Sequence, residues 1–312
     1  MDPVTCRGEH PREDGQMPEG IGSDPRRRTS PARWRVLGHP DGILVYQARC
    51  IVENHGWSAP AAETTYKVVL GRAGVYRRRV NGRTAFADAT SVLLLRPGDE
   101  MAVSHPLGCG DSYTCLEVDA EVLARRPDAR RWFGGTGWAG SSDGALDLAH
   151  RMLAADLRRG LDHFEMAERL HRFLGRLLGF VSPDRESPDV DLDRAVGRRA
   201  ATLAAHRQLA DRAREVLAAG DFSIGLEEVA RAVGASPHHL SRVFQRVTGT
   251  SLTAWRNQLR VRAVLDTLAE SDGPPLRVVA SEYGFADQAH LTRVVRAQVG
   301  HPPAHLRHLL TA

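Results

Sequence analysis

The sequence predicts an α+β protein with a strand-rich N-terminal part, a helical middle segment and an all-α C-terminal domain. Three observations carry this prediction. Short β-branched or aromatic stretches, bounded by Gly, Pro, Asn or Asp, crowd between residues 32 and about 120. Apolar residues then switch to helical spacing over residues 144–181. The last hundred residues write one helix–glycine–helix pattern twice. These shifts divide the chain into a disordered tail (1–31), a β-barrel region (32–140), a helical segment (141–181), a linker (182–198) and a C-terminal domain (199–312).

The 312 residues suffice for two domains with their own cores. Apolar content of 42% and charged content of 26% are those of an ordinary globular protein. The net charge of +4 permits a nucleic-acid partner without demanding one. No run of eighteen apolar residues exists, so no membrane span is expected. Met1 to Pro31 is polar, carries Arg26-Arg27-Arg28 and lacks the apolar core of a signal peptide; Met17 offers an alternative start. Cys6, Cys50, Cys109 and Cys115, without an export signal, point to reduced thiols in the cytoplasm.

The strand candidates run in order: Gly42 to Val52, Thr65 to Leu70, Gly74 to Val80, Ser91 to Leu95 and Tyr113 to Val118. Val80-Asn81-Gly82-Arg83 reads as a hairpin turn. Many short strands at close spacing suggest a small barrel or a double-sheet roll. Next come two amphipathic helices broken near Gly160, with Leu146, Leu148, Met152, Leu153 and Leu157 on the first and Phe164, Met166, Leu170, Phe173, Leu174, Leu177 and Leu178 on the second. Leu153, Leu157, Leu170, Phe173, Leu174 and Leu177 either join two copies of the chain or cover the strands. The stretch Ser182 to Asp193 is polar, twice interrupted by Pro, and reads as the linker.

Setting Ala230 over Ala280 brings Gly234 over Gly284, Leu240 over Leu291, Arg242 over Arg293 and Gly249 over Gly300, with one residue inserted after the first glycine pair. Each copy reads as a helix-turn-helix unit, whose second helix enters the major groove of DNA. In the first, Leu226 to Val233 is the supporting helix, Gly234 turns the chain, and Ser236 with Pro237 starts the second helix. That helix turns Leu240, Val243, Phe244 and Val247 inward; its other face offers His238, His239, Ser241, Arg242, Gln245 and Arg246. In the second, Leu276 to Glu282 supports, Tyr283-Gly284-Phe285 turns, and Asp287 caps a helix offering Gln288, Ala289, Thr292, Arg293 and Arg296. Arginine pairs bidentately with guanine and glutamine with adenine, so these faces suit base reading. Leu252 to Leu268 reads as a connecting helix, and a rigid connector matters because successive major grooves lie about 34 Å apart. Helix–glycine–helix hairpins also occur in protein-interaction modules; repetition with matching arginines favours the DNA reading.

The region from about His206 to Leu309 resembles the DNA-binding domain of the AraC/XylS family of bacterial transcription regulators. The carrying residues are Leu226-Glu-Glu-Val-Ala, Gly234-x-Ser236-x-x-x-Leu240-Ser-Arg-Val-Phe244, Gly249-x-Ser251, Arg260-Val-Arg-Ala263, Ala280-x-x-x-Gly284-Phe285-x-Asp287, Leu291-Thr-Arg293 and Gly300-x-Pro302-x-x-x-Leu306-Arg307. The resemblance implies base reading at His238, Ser241 and Arg242, and at Gln288, Ala289, Thr292 and Arg293. Where the family has Phe-x-Arg-x-Phe-Lys, this chain has Leu291-Thr-Arg-Val-Val-Arg296, an apolar exchange that preserves packing. Ala289 can meet a thymine methyl but offers no hydrogen bond.

The same resemblance implies a cupin-like effector-sensing barrel over residues 32–140, a homodimer formed through residues 141–181, promoter DNA and RNA polymerase as partners, and no catalysis. Tyr46, His55, Trp57, Tyr66, Tyr76 and Phe86 are candidates by residue type for the pocket of an unknown small-molecule effector, or are simply core. A cupin-type enzyme is the alternative, but no His-x-His pair occurs between residues 32 and 140, and His55 and His105 stand isolated. Neither a cofactor nor a metal is therefore expected. Cys109 and Cys115 bracket Gly110-Asp111-Ser112 and are either a thiol or soft-metal sensor, with His105 and Cys50 nearby, or two unrelated thiols.

Overall fold

The computed structural model describes residues 32–50, 56–105, 107, 108, 110–129, 138–181, 198–219 and 222–311. The expected tail (1–31), almost all of the expected linker, and two of the candidate residues, His55 and Cys109, lie outside the described residues. The chain divides into two compact units. Unit 1 comprises residues up to Trp138 together with Gly160–Gly179; unit 2 comprises Ala139–Arg159 and everything from Phe180 onward.

Unit 1 holds the strands β1 (Ala32–Gly38), β2 (Ile43–Cys50), β3 (Ala61–Ala62), β4 (Tyr66–Gly74), β5 (Tyr76–Val80), β6 (Arg83–Ala87), β7 (Ser91–Leu95), β8 (Glu100–Ser104) and β9 (Asp111–Val118); β10 (Trp138–Ser141) follows at its boundary. They form a six-stranded sheet in the order β1-β2-β9-β4-β7-β10 and a four-stranded sheet in the order β3-β8-β5-β6. Of the small barrel and the double-sheet roll, the two sheets realise the roll, without closing into a barrel. Among the described residues, β1 and β10 edge one sheet and β3 and β6 the other. Sequence cannot separate the two forms, because strands of a roll and of a barrel carry the same alternation.

Cross-strand rows explain the packing. Val36, Tyr46, Cys115, Val69 and Leu93 lie opposite one another in turn across β1, β2, β9, β4 and β7. Trp34 packs edge-on against Tyr46 at 5.2 Å and Tyr113 at 6.3 Å. The hairpin forms as expected, with Asn81 and Gly82 both at positive φ between β5 and β6. At Gly74 the chain leaves one sheet for the other. A Cβ there would stand 2.7 Å from the Asp111 Cα, so this crossing needs glycine. Unit 1 also holds a short helix α1 (Ala120–Ala124), a 3-10 turn at Pro127–Ala129 and all but the last residue of α3 (His163–Phe180).

Unit 2 is helical: α2 (Gly144–Arg159), α4 (Arg198–Ala218), α5 (Leu226–Ala232), α6 (Pro237–Thr248), α7 (Leu252–Leu268), α8 (Leu276–Glu282), α9 (Gln288–Val299) and α10 (Pro303–Leu310). The two helices read as one segment over 141–181 are both present, but they fall in different units. The first, α2, packs against α9 and α10, and its Leu148 joins the core of Val264, Leu265, Leu268, Val279, Phe285, Leu291, Val295 and Leu306. Val295 is fully buried there.

A buried ion network ties α2 to the connecting helix α7. Arg151 donates to Asp147 at 3.0 Å and to Asp266 at 2.5 Å. Arg262, nearly inaccessible, stands 3.7 Å from Asp147 and donates to the Ser142 carbonyl and hydroxyl at 2.8 and 2.9 Å. Burial alone would raise the Asp147 carboxyl, but Arg151 and Arg262 outweigh it and hold it below the usual range.

Candidate nucleic-acid interface

The two helix-turn-helix copies are alike down to their hydrogen bonds. Gly234 and Gly284 both turn at φ 69°. Beyond each, the next amide closes back onto the supporting helix: Ala235 N–H donates to the Ala230 carbonyl at 2.9 Å, and Phe285 N–H to that of Ala280 at 2.8 Å. The second helices α6 and α9 each run 12 residues and stop at a left-handed glycine, Gly249 and Gly300. Each begins on a side-chain cap, because its first amides have no partner within the helix. Ser236 Oγ accepts from His239 N–H at 3.3 Å with Pro237 following, and Asp287 Oδ1 accepts from His290 N–H at 2.6 Å. The inserted residue shows here: the cap stands two places after Gly234 and three after Gly284.

The inward faces are Leu240, Val243 and Phe244 on α6, and Leu291, Val295 and Val299 on α9. The opposite faces carry the candidates. His238, Arg242, Gln245 and Arg246 are exposed on α6, as are Gln288, Ala289, Arg293 and Arg296 on α9; Ser241 and Thr292 are half-buried. Among the described residues, Arg242, Arg246, Arg293 and Arg296 have no carboxylate partner, so all four charges stand uncommitted. Two neighbours are more constrained. The His239 ring rests against His206 of α4 at 6.2 Å, and the Thr292 hydroxyl donates to the Gln288 carbonyl at 2.9 Å, leaving it only as an acceptor.

Helix α7 fixes one copy against the other. Phe244 of α6 meets Trp255 edge-on at 5.8 Å, and Arg256 donates to the Ile224 carbonyl at 2.6 Å, just before α5. Arg260 donates to the Phe222 carbonyl and lies over the Phe285 ring of the second turn, 5.5 Å from its centre. Thr267 shares a 2.6 Å hydrogen bond with the Tyr283 hydroxyl. Desolvation, with Arg256 beside it, lowers the Arg260 guanidinium to about 10.

The effector candidates in unit 1 are scattered. Tyr46, Tyr76 and Phe86 are buried, on β2, β5 and β6. Tyr66 is half-buried, and Trp57, 37% exposed, carries Arg79 over its ring at 4.1 Å. Tyr46 donates to Glu117 at 3.1 Å, which leads to a buried charge group that residue type alone did not single out: Lys67, the only lysine, lies 2.6 Å from Glu63 and 3.5 Å from Glu117. Cys115 sits buried on the same face, and burial pushes its thiol up to about 12, so it stays protonated at neutral pH. A second group joins Cys50, His105 and Asp111, of which Cys50 and His105 were expected near the Cys109–Cys115 turn and Asp111 was not singled out as a ligand. His105 Nε2 lies 2.6 Å from Asp111 Oδ1. Burial would lower that imidazole, but its hydrogen bonds to Asp111 and Cys50 outweigh it and raise it to about 9. The partners lie 6 and 55 positions away from His105, beyond any local motif.

Of the residues considered for dimerisation, Leu153, Leu157, Leu170, Phe173, Leu174 and Leu177 are all buried in the single chain; Phe164 is the large apolar side chain left exposed nearby, at 78%. No helix among the described residues is long and apolar enough to cross a membrane.

Residues 229–308 match a family model described as a helix-turn-helix domain. The multiple antibiotic resistance protein MarA of Escherichia coli is 35% identical over 80 residues, 26% of this chain and 62% of that protein. The arabinose operon regulatory protein of the same organism is 30% identical over 87 residues, 28% of this chain and 30% of its own length. The chain thus spans less than two thirds of each. Among solved structures, unsaturated fatty acid-bound ToxT from Vibrio cholerae aligns over 88% of this chain and 98% of its own, at 12% identity and a TM-score of 0.36.

Proposed function

We propose that the protein is a sequence-specific regulator of transcription of the AraC/XylS type that binds promoter DNA through α6 and α9, within the helix-turn-helix match at residues 229–308. The observation that carries this reading is the matched pair of capped helices, each with two uncommitted arginines beside an exposed glutamine. Arginine and glutamine supply base-edge and phosphate contacts, and four cationic heads on two helices supply sequence-independent attraction. One protomer thereby addresses two major grooves. On this reading the protein works in the cytoplasm, with RNA polymerase as its expected collaborator.

Unit 1 is proposed to receive the effector. No covalent chemistry is required of it: a ligand acts by binding one arrangement of the protein better than another. Because the six leucine and phenylalanine side chains above are already buried, a homodimer would use other surface, with Phe164 available.

The test is selection of bound duplexes from a random pool by the full chain, followed by anisotropy titration at several salt concentrations. Recovery of a defined motif, with affinity falling steeply as salt rises, is the expected result. An unenriched pool, or affinity indifferent to salt, would overturn the reading.

A further inference from the structure

We propose that Cys50, His105 and Asp111 form a three-ligand site for a borderline-soft divalent cation, with zinc the best match. The three donor atoms, one sulfur, one imidazole nitrogen and one carboxylate oxygen, all lie within 4.8 Å of one another. Zinc bonds of about 2.0–2.3 Å in tetrahedral geometry space their ligands by roughly 3.5 Å, so small side-chain rotations bring the set to bonding distance. A thiolate beside an imidazole disfavours magnesium and calcium, which take oxygen ligands, while a single sulfur is less than copper(I) prefers. Three protein ligands leave one tetrahedral position for water or an exogenous donor.

The backbone holds these residues in place from three strands. Cys50 ends β2 and pairs directly with Asp111, the first residue of β9. Asp111 is paired on its other side with Gly74 at the end of β4, where the backbones meet closely. His105 follows β8 at once, with the Tyr76 ring 6.2 Å from its own. His105 and Asp111 are buried, and Cys50 is half-buried and gives the way in. Without a cation, the 2.6 Å hydrogen bond between His105 and Asp111 holds the heads together. Because β2 and β9 belong to one sheet and β8 to the other, a bound cation would staple the two sheets at one end. This inference does not rest on the DNA-binding reading.

The full-length chain, reduced and stripped with a chelator, is titrated with cobalt(II) and then with zinc(II). One equivalent of cobalt should bind with a thiolate-to-cobalt charge-transfer band, and zinc should bleach it. Cys50→Ser should abolish the band while Cys115→Ser keeps it. Asp111→Asn should weaken zinc binding by on the order of 100-fold, the upper end of what losing even an outer-shell partner costs. Absence of the band from the unsubstituted protein, or an undiminished band in Cys50→Ser, overturns the proposal. If Cys50→Ser does not fold, Asp111→Asn decides, and unchanged zinc affinity there overturns it equally.

Discussion

Arg242 and Arg293 occupy equivalent places on α6 and α9, yet their neighbours differ. Around Arg242 stand exposed His238 and Gln245; beside Arg293 are Ala289 and a Thr292 hydroxyl already donating along its own helix. Base discrimination should therefore concentrate on α6. Arg242→Ala is expected to cost about 1–3 kcal/mol on the selected site and to relax preference at one base pair. Arg293→Ala should cost less discrimination; anisotropy on single-base variants of the site measures both, and the reverse order would refute it. The folded Asp147 carboxyl titrates below its unfolded value, so the stabilisation it confers is complete above the ordinary carboxylate range and is lost as pH falls below that range through the lowered folded value. Asp147→Asn should lower stability at neutral pH by about 3–5 kcal/mol, since it strands buried arginine charge, and should flatten the acid limb of a denaturation-midpoint profile.

Elements defined by local chemistry were legible in the sequence. Ser236 with Pro237, Asp287, the paired glycines and the Asn81-Gly82 turn each act within a few residues, and each appears where its residue type places it. Elements defined by distant partners were not. Nothing in the periodicity of α2 says that its Leu148 belongs with Leu291 and Val295, or that Arg151 answers Asp266 across 115 positions. Nor does alternation in the strands reveal that the two sheets stay separate. Gly234→Ala meets no neighbouring atom and should cost only its left-handed backbone, about 1–2 kcal/mol. Gly284→Ala has the same φ but places a methyl 3.0 Å from the Arg260 guanidinium and 3.2 Å from the Phe222 carbonyl, so it should cost more. Equal midpoints in denaturant unfolding would refute that ranking.

In the proposed DNA complex, the four uncommitted arginines would set the electrostatics across both helices. Counterion release at about 0.9 per neutralised phosphate limits their joint share of the log–log salt slope to about −4 per protomer. Removing Arg246 or Arg296, if it touches phosphate, should flatten the measured slope by about one without changing the preferred sequence. Stability follows the unit boundaries rather than the chain order. Leu148→Ala, though some eighty residues before the family match begins, should destabilise α8 and α9 by about 2–5 kcal/mol, read as lost amide-exchange protection there.

The placement of α2 bears on how this protein can be taken apart. The chain passes from unit 1 into unit 2 after Trp138, returns after Arg159, and crosses again after Gly179. A single protease cut within residues 182–197 therefore frees no finished module. The released C-terminal piece would leave behind the helix that carries Leu148 and Arg151. Grafting residues 199–312 onto another domain would carry over an open seam along α9; a chimera that also brings residues 139–159 would close it.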